Sequence, residues 1–173
     1  MKETRMRLTA GDKIVYPFQG PCLIGSIVEK IIDDRPLMFY QLVVLSEGGD
    51  LFIPVDKVKT VGIRLLLEES EIPLLLDRLK KPAKAVDGWK QRNLENLRLF
   101  ASGSAFDLAE IVETLTELSE TKALSFGESS KLKKAKRLLI CEISEVTGET
   151  KEDVEQQVDN ALKARKEATC ASV

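Results

Sequence analysis

The first third of the chain alternates apolar and polar positions with the two-residue period of β-strands. Short runs rich in isoleucine, valine and aromatic residues are separated by turns of glycine, proline and aspartate. These runs predict strands over residues 13–16, 22–32, 38–45, 51–55 and 61–64. Gly25, inside the second run, predicts a bulge or a sharp bend. Because five short strands bury little as an open sheet, the pattern predicts a small five-stranded barrel of the SH3 or Tudor type.

From residue 68 the apolar positions recur with the 3.6-residue period of α-helices. This period predicts helices over residues 68–80, 87–102, 104–120, 125–146 and from 150 to beyond 162. Capping-box spacing marks the last three starts, in the pairs Ser104 and Asp107, Ser125 and Glu128, and Thr150 and Asp153. The inner face of the second helix is predicted to consist of Leu94, Leu97, Leu99 and Phe100.

The two patterns together predict an α+β protein built from two modules. The Tudor-like barrel is assigned to residues 1–67, and an all-α bundle of about five helices is assigned to residues 68–166. Residues 167–173 are small and polar, and we expect them to form a disordered tail.

Composition narrows the function classes. The 173 residues include no histidine, the most common general base and metal ligand. No CxxC pair, Gly-rich phosphate loop or GxSxG motif is present, so we expect no catalytic site, cofactor or metal. Carboxylates are plentiful, but most fall on helix faces expected to meet water, including an acidic stripe on the third helix.

Cysteine usage and hydropathy bear on the compartment. Cys22, Cys141 and Cys170 are widely spaced and odd in number, which argues against a disulfide framework and indicates a reducing cytoplasm. No run approaches the ~20 apolar residues of a membrane span. The net charge of −2 does not indicate a nucleic-acid binder, although a local basic patch matters more than the sum.

The single tryptophan, Trp89, lies near the predicted start of the second helix, just after the favourable N-cap residue Asp87. Its neighbourhood is basic, with Lys80, Lys81, Lys84, Lys90, Arg92 and Arg98. An apolar ring among cations at a helix N-terminus suits the wall of a nucleic-acid groove beside phosphates. The competing interpretation is that Trp89 is part of the core, where tryptophan is usually buried.

Four segments, in order and with similar spacing, resemble the CarD/CdnL family of bacterial transcription factors. They are residues 11–20, 53–64, 89–103 and 124–128, and the resemblance extends from about Gly11 to Leu162. It implies a barrel that docks on the β subunit of RNA polymerase and a helical module that reaches promoter DNA. Trp89 would wedge into the minor groove at the upstream edge of the melted bubble, with little sequence specificity, and hinder re-annealing.

Site residues follow from the resemblance and from the pattern together. The DNA contacts are assigned to Trp89, Lys84, Lys90, Arg92 and Arg98. The polymerase contacts are assigned to an exposed strand that would pair with a strand of the partner, namely Leu51, Phe52, Ile53 and Pro54. The resemblance adds Lys30, at a position where relatives often have an arginine that touches the partner. We expect a monomer that is associated with the nucleoid through the polymerase.

The chain departs from the family pattern at several of these positions. Phe52 stands where relatives often have an arginine, so it replaces a salt bridge by apolar contact or belongs to the core. Gln91, Asn93 and Leu94 replace an arginine, an aromatic and a basic residue beside the wedge. Fewer cations predict weaker binding to free DNA with a shallower salt dependence, and a greater reliance on tethering by the polymerase.

Other function classes stay open at this point. A Tudor-like adaptor could hold a peptide or a modified side chain in an aromatic cage. The rings available for such a cage are Tyr16, Phe18, Phe39, Tyr40 and Phe52. The protein could also be a promoter-specific repressor or a scaffold for other regulators.

Overall fold

The N-terminal module is a five-stranded antiparallel sheet. The computed structural model describes residues 8–83 and 88–170, with side chains as far as residue 167. Its strands are β1 (Lys13–Tyr16), β2 (Gly20–Ile32), β3 (Arg35–Val44), β4 (Asp50–Pro54) and β5 (Arg64–Leu65). They pair in the order β4-β3-β2-β1-β5, so β4 and β5 form the two edges of the sheet. In the described chain β4 pairs only with β3, so backbone hydrogen bonds do not join it to β5. Side chains of β4 instead pack in the same apolar core as those of β1, β2 and β3.

Turn residues explain the tight hairpins. Asp33 and Asp34 join β2 to β3 with φ angles of 49° and 59°, which aspartate tolerates better than most residues. Gly48 and Gly49 join β3 to β4 with φ angles of 75° and 93°. The bulge predicted at Gly25 is confirmed by a shift of the β2–β3 register between Ile24 and Ile27.

The last predicted strand is wrong over most of its length. After Pro54 ends β4, the chain makes a 3₁₀ turn (Val55–Lys57) and the short helix α1 (Val58–Val61), and only then enters β5. The helical turn buries Val58, and Gly62 ends α1 in the left-handed conformation with φ 85°. Val58 and Ile63 thereby join the core of the sheet. The strand predicted over 61–64 does not account for the burial of Val58.

Within the described residues, five helices form the second module, as predicted. They are α2 (Ile72–Leu79), α3 (Trp89–Ser102), α4 (Ala105–Thr121), α5 (Phe126–Thr147) and α6 (Lys151–Cys170). One continuous core joins them, centred on Leu75, Leu79, Ile111, Leu115, Leu139 and Ile143. The α+β class, with a five-stranded antiparallel sheet ahead of a helical bundle, is confirmed. Helix α6 continues into the segment predicted as a tail, since it ends at Cys170.

Helix caps agree with the sequence at two of the three predicted positions. Ser125 Oγ accepts a hydrogen bond from Glu128 N, and Glu128 Oε2 accepts one from Ser125 N, both at 3.2 Å. Thr150 Oγ1 accepts from Asp153 N at 3.1 Å. The box predicted at Ser104 is wrong, because its side chain makes no cap bond and its N–H donates to Ser102 Oγ across the tight turn between α3 and α4.

The acidic stripe of α4 faces water only in part, in contrast to what its spacing predicts. Arg165 of α6 is almost fully buried against it, and donates to the carbonyl of Glu113 and to the carboxylates of Glu117 and Glu120. Glu113 itself is 1% exposed, with Arg78 Nε of α2 3.3 Å from its Oε1. The stripe therefore holds α2 and α6 against α4.

A partly buried ion pair joins the two modules. Arg64 of β5 donates to both carboxylate oxygens of Glu142 on α5, at 2.7 and 2.8 Å, and its Nε donates to the carbonyl of Gly103. Beside it, the ring of Phe18 stacks on Phe100 with 6.0 Å between centroids. These contacts hold the sheet in a fixed position relative to α3 and α5.

Candidate functional site

Trp89 is the first residue of α3, and 56% of its surface is exposed. The helix begins after Gly88, which occupies the N-cap position with φ 83°. This conformation suits glycine and leaves no side chain beside the indole. Asp87, the predicted N-cap, and Lys84, a predicted DNA contact, lie outside the described residues. The interpretation of Trp89 as a sealed core residue is wrong.

A groove of about 400 Å³ opens beside the indole. One wall is the face of α3 that carries Trp89, Asn93 and Asn96, which recur at the helical period. The opposite wall is the first turn of α5, residues 125–128, together with Lys131. Lys131 Nζ donates to Asn93 Oδ1 and so bridges the two walls.

The predicted polymerase contacts lie on and beside edge strand β4. Phe52 is exposed, and the ammonium of Lys30 lies over its ring, 3.4 Å from the centroid. Leu51 and Pro54 are half-buried. The predicted side-chain contact of Ile53 is wrong, because this side chain lies in the core of the sheet. Only the backbone of Ile53 is available to a partner. Phe52 is thus a surface residue rather than a core residue.

Comparison with known proteins agrees with this architecture. Residues 8–66 match the family model of the CarD-like/TRCF RID domain, and residues 75–159 match the model of the CarD C-terminal domain. The chain belongs to the CarD family. It is 26% identical over 145 residues to a protein of Bacillus subtilis (strain 168) described as "Putative transcription factor YdeB", covering 83% of this chain and 95% of that relative.

A solved structure also matches part of this CarD-family chain. It is the solution NMR structure of the 72-residue N-terminal domain of Myxococcus xanthus CarD. The match has 32% sequence identity and a TM-score of 0.30, and covers 34% of this chain and 79% of that domain.

Arg92 of this CarD-family chain is not presented to a phosphate, in contrast to its assignment from sequence. It is only 7% exposed, and its Nε and Nη2 donate to Glu128 Oε1 at 3.1 and 2.9 Å. Burial alone raises the pKa of Glu128, but hydrogen bonds from Arg92 and Ser125 outweigh it and hold that pKa below its usual value. The pair fixes the start of α5 to α3 beneath the groove.

The remaining cations leave a thin positive surface around Trp89. Lys90 is exposed and forms no ion pair within the described residues. Arg98 is exposed but donates to both oxygens of Glu95, at 2.6 and 3.1 Å, so its charge is offset within its own helix. Of the predicted DNA contacts that the structure describes, Trp89 and Lys90 lie at the surface, and neither contacts an acidic side chain of the described residues.

The inner face of α3 differs from the predicted one. Leu94 and Leu97 are exposed, whereas Arg92, Asn96, Leu99 and Phe100 face inward. The apolar positions of α3 are compatible with either of two neighbouring faces turned toward the core. The buried Arg92–Glu128 pair accompanies the arrangement in which the face that carries Arg92 points inward.

Sequence reasoning missed Phe126, the first residue of α5, which lines the groove and is 92% exposed. A usable signal is present in the sequence. Phe126 follows the cap residue Ser125 directly, and the positions one turn further on, Ser129 and Ser130, are polar. An apolar residue without apolar neighbours at helical spacing has no core to join.

Sequence reasoning also missed an apolar surface on the β2–β3 hairpin. Ile27, Ile31 and Met38 lie on the same side of the sheet as the core residue Tyr40, but they extend beyond the core and are exposed. The opposite side carries further exposed apolar residues, namely Ile32, Leu37 and Phe52. Several exposed apolar side chains on one hairpin mark a protein interface more often than a solvated hairpin.

The aromatic cage of the competing hypothesis is not formed. Phe39 and Tyr40 are buried in the sheet, and Phe18 stacks on Phe100 of the other module. Phe52 is exposed on the outer side of the sheet, with the Lys30 ammonium over its ring. Among the described helices, none has the length and apolar character needed to cross a membrane.

Proposed function

We propose that this CarD-family protein is a regulator of transcription initiation that acts from the surface of RNA polymerase. In this proposal the N-terminal module docks on the polymerase β subunit, and Trp89 enters the minor groove of promoter DNA at the upstream edge of the melted bubble. The observation that carries the proposal is the exposed indole at the start of α3, on a helix that is fixed by the buried Arg92–Glu128 pair.

The energetics of a wedge are adequate for this role. Unstacking a base step costs a few kcal/mol, and an apolar ring that fills the opened step offsets that cost. A factor shifts the balance between closed and open promoter complexes only by its differential affinity for the two states. About 1.4 kcal/mol of preference corresponds to a tenfold shift. No catalytic residue is needed for this, and the protein acts as a binding factor rather than as an enzyme.

The docking surface that fits best is the β2–β3 hairpin with the adjoining edge strand β4. The backbone of an edge strand can pair with a strand of the partner, while exposed apolar side chains on the hairpin add buried area. Lys30 over Phe52 gives the same surface one cation. In this account the protein is a cytoplasmic monomer that reaches the nucleoid through the polymerase.

The scarcity of cations around Trp89 makes tethering central to the proposal. Arg92 is buried and Arg98 is paired with Glu95, so few phosphates can be neutralised. The affinity for free DNA should therefore be weak and its dependence on salt shallow. Docking on the polymerase compensates for this by raising the effective concentration of Trp89 at the bubble.

The docking half is tested by retention of the full-length protein on immobilised RNA polymerase β subunit. Ile31→Asp places a charge in the apolar hairpin surface, and we expect it to abolish most of the retention. Leu74→Asp is the matched control, because Leu74 is equally apolar and is exposed on α2 of the other module. Wild-type retention of Ile31→Asp would show that the hairpin is not the docking surface.

A further inference from the structure

The groove beside Trp89 contains a polar group without a partner. Asn96 is 4% exposed, and its side-chain amide forms no hydrogen bond within the described part of the chain, although it lines the groove. Buried side-chain amides are nearly always hydrogen-bonded, because an amide offers both donors and acceptors that water would otherwise satisfy. The Asn96 amide is open to the groove, so a ligand bound there can supply the missing partner.

Two aromatic rings stand at the same groove. Trp89 lies on the α3 side and Phe126 on the α5 side, and the described residues contain no stacking contact between the two rings. Both rings are more than half exposed, which is costly in water unless a planar partner covers them. The groove therefore offers apolar ring faces beside the unpaired amide of Asn96.

The charged residues at the groove indicate which ligand charge it favours. Among the described residues that line the groove, Glu128 is the one carboxylate, and Arg92 neutralises it from beneath. Lys131 lines the groove as a cation, and exposed Lys90 follows Trp89 on α3. A planar, uncharged ring that is attached to an anionic backbone fits these walls.

We propose that this groove binds one unpaired nucleobase of single-stranded DNA. The base stacks on the aromatic walls, its edge hydrogen-bonds to the Asn96 amide, and the adjacent phosphate lies near Lys131. Stacking on protein aromatics and hydrogen bonding to the base edge are the two means by which extruded bases are held. The inference rests on the proposed function, since it adds to the wedge a site for a base that the wedge releases.

The experiment uses full-length protein without polymerase. Trp89 is the single tryptophan, so its fluorescence reports on the groove alone. The protein is titrated with a single-stranded DNA of about ten nucleotides, within the span of known single-strand sites. A second titration uses an abasic strand of the same length, which keeps the phosphates and lacks the bases. Phe126→Ala tests the aromatic wall, and Leu94→Ala, an exposed residue of α3 outside the groove, is the control.

We expect the base-bearing strand to quench the fluorescence saturably, and the abasic strand to leave it unchanged. Phe126→Ala should raise the Kd about tenfold, which is the size expected for the loss of one stacking contact, whereas Leu94→Ala should change it less than twofold. Asn96→Asp should weaken binding as well, because it removes the donor. Equal quenching by the abasic strand, or an unchanged Kd in Phe126→Ala, would overturn the proposal. Neither result would contradict the proposed function, which is tested separately by the lifetime of open complexes with Trp89→Ala.

Discussion

At the scale of the residue, Arg92 shows how a charge on a helix can be misassigned. It stands three positions after Trp89, among other basic residues, and the spacing suggests a phosphate contact. The structure places it on the inner face of α3, where it pairs with Glu128 of α5, a helix that starts at Phe126, 34 residues after Arg92. Periodicity shows that residues share a face, but it does not show which face meets the core.

The buried pair predicts a loss of stability when Arg92 is truncated. Arg92→Ala leaves the Glu128 carboxylate buried without its main partner, which costs about 3–5 kcal/mol of unfolding free energy. Urea denaturation followed by circular dichroism measures it. Arg98→Ala is the control, and it should unfold close to wild type because that pair is exposed. If Arg92→Ala has the same free energy of unfolding as wild type, the pair does not stabilise the fold, and Arg92 is again a candidate DNA contact.

Glu113 predicts a dependence of stability on pH. Burial raises its pKa from 4.5 to about 7, although Arg78 and Arg165 lower it. Between these two values the folded state binds more protons than the unfolded state, so the free energy of unfolding falls as pH rises from about 4.5 to about 7. The contribution is on the order of 3 kcal/mol.

The measurement is the free energy of unfolding of wild type minus that of Glu113→Gln, taken at several pH values. Subtraction removes the other carboxylates, including Glu128, whose lowered pKa acts in the opposite direction at acidic pH. The difference should become less favourable to wild type as pH rises through this window. A difference that is flat, or that favours wild type at high pH, would show that the two arginines dominate the site.

At the scale of the element, helices were predictable and the end of the sheet was not. Apolar period and cap residues gave five helices in the right order, because both signals are local in sequence. The segment after Pro54 carries valines that suit either a strand or a helical turn. What decides it is the packing of Val58 and Ile63 into the sheet core, a contact between residues distant in sequence that no local pattern contains.

A pair of glycines tests the packing between the sheet and α5. A Cβ on Gly20 would lie 2.6 Å from Leu138 Cδ2, and Gly20 also has φ 80°. Gly48 has a similar φ of 75° and nothing within 4 Å of such a Cβ. Gly48→Ala should cost about 1–2 kcal/mol from the backbone alone. Gly20→Ala should cost about 1–3 kcal/mol more because of overpacking. Equal melting temperatures would mean that Leu138 moves away without cost.

At the scale of the whole molecule, the ion pair between Arg64 and Glu142 sets the position of Trp89 relative to the docking surface. Arg64→Ala leaves a carboxylate that is 2% exposed without its partner, and about 3 kcal/mol of stability should be lost. Lys13→Ala is the control at the same junction, and it should cost less than about 1 kcal/mol because Lys13 and Glu145 are partly exposed.

The same variant separates docking from wedging. Arg64→Ala should keep its retention on the polymerase, since the hairpin lies away from the junction, yet it should lose part of its effect on promoter complexes. An unchanged effect would mean that the two modules do not need a fixed geometry.

The candidate site could be predicted from sequence only as far as Trp89. Asn96 and Phe126 line the same groove only because the fold places α3 beside the start of α5.

The most direct measurement is the lifetime of promoter open complexes with wild-type protein and with Trp89→Ala, at a concentration that saturates the polymerase. The indole is exposed, so the variant should fold and keep its retention on the polymerase. We predict that it loses most of the added lifetime, while Leu94→Ala keeps it. A Trp89→Ala protein that is folded, bound to the polymerase and as effective as wild type would contradict the account.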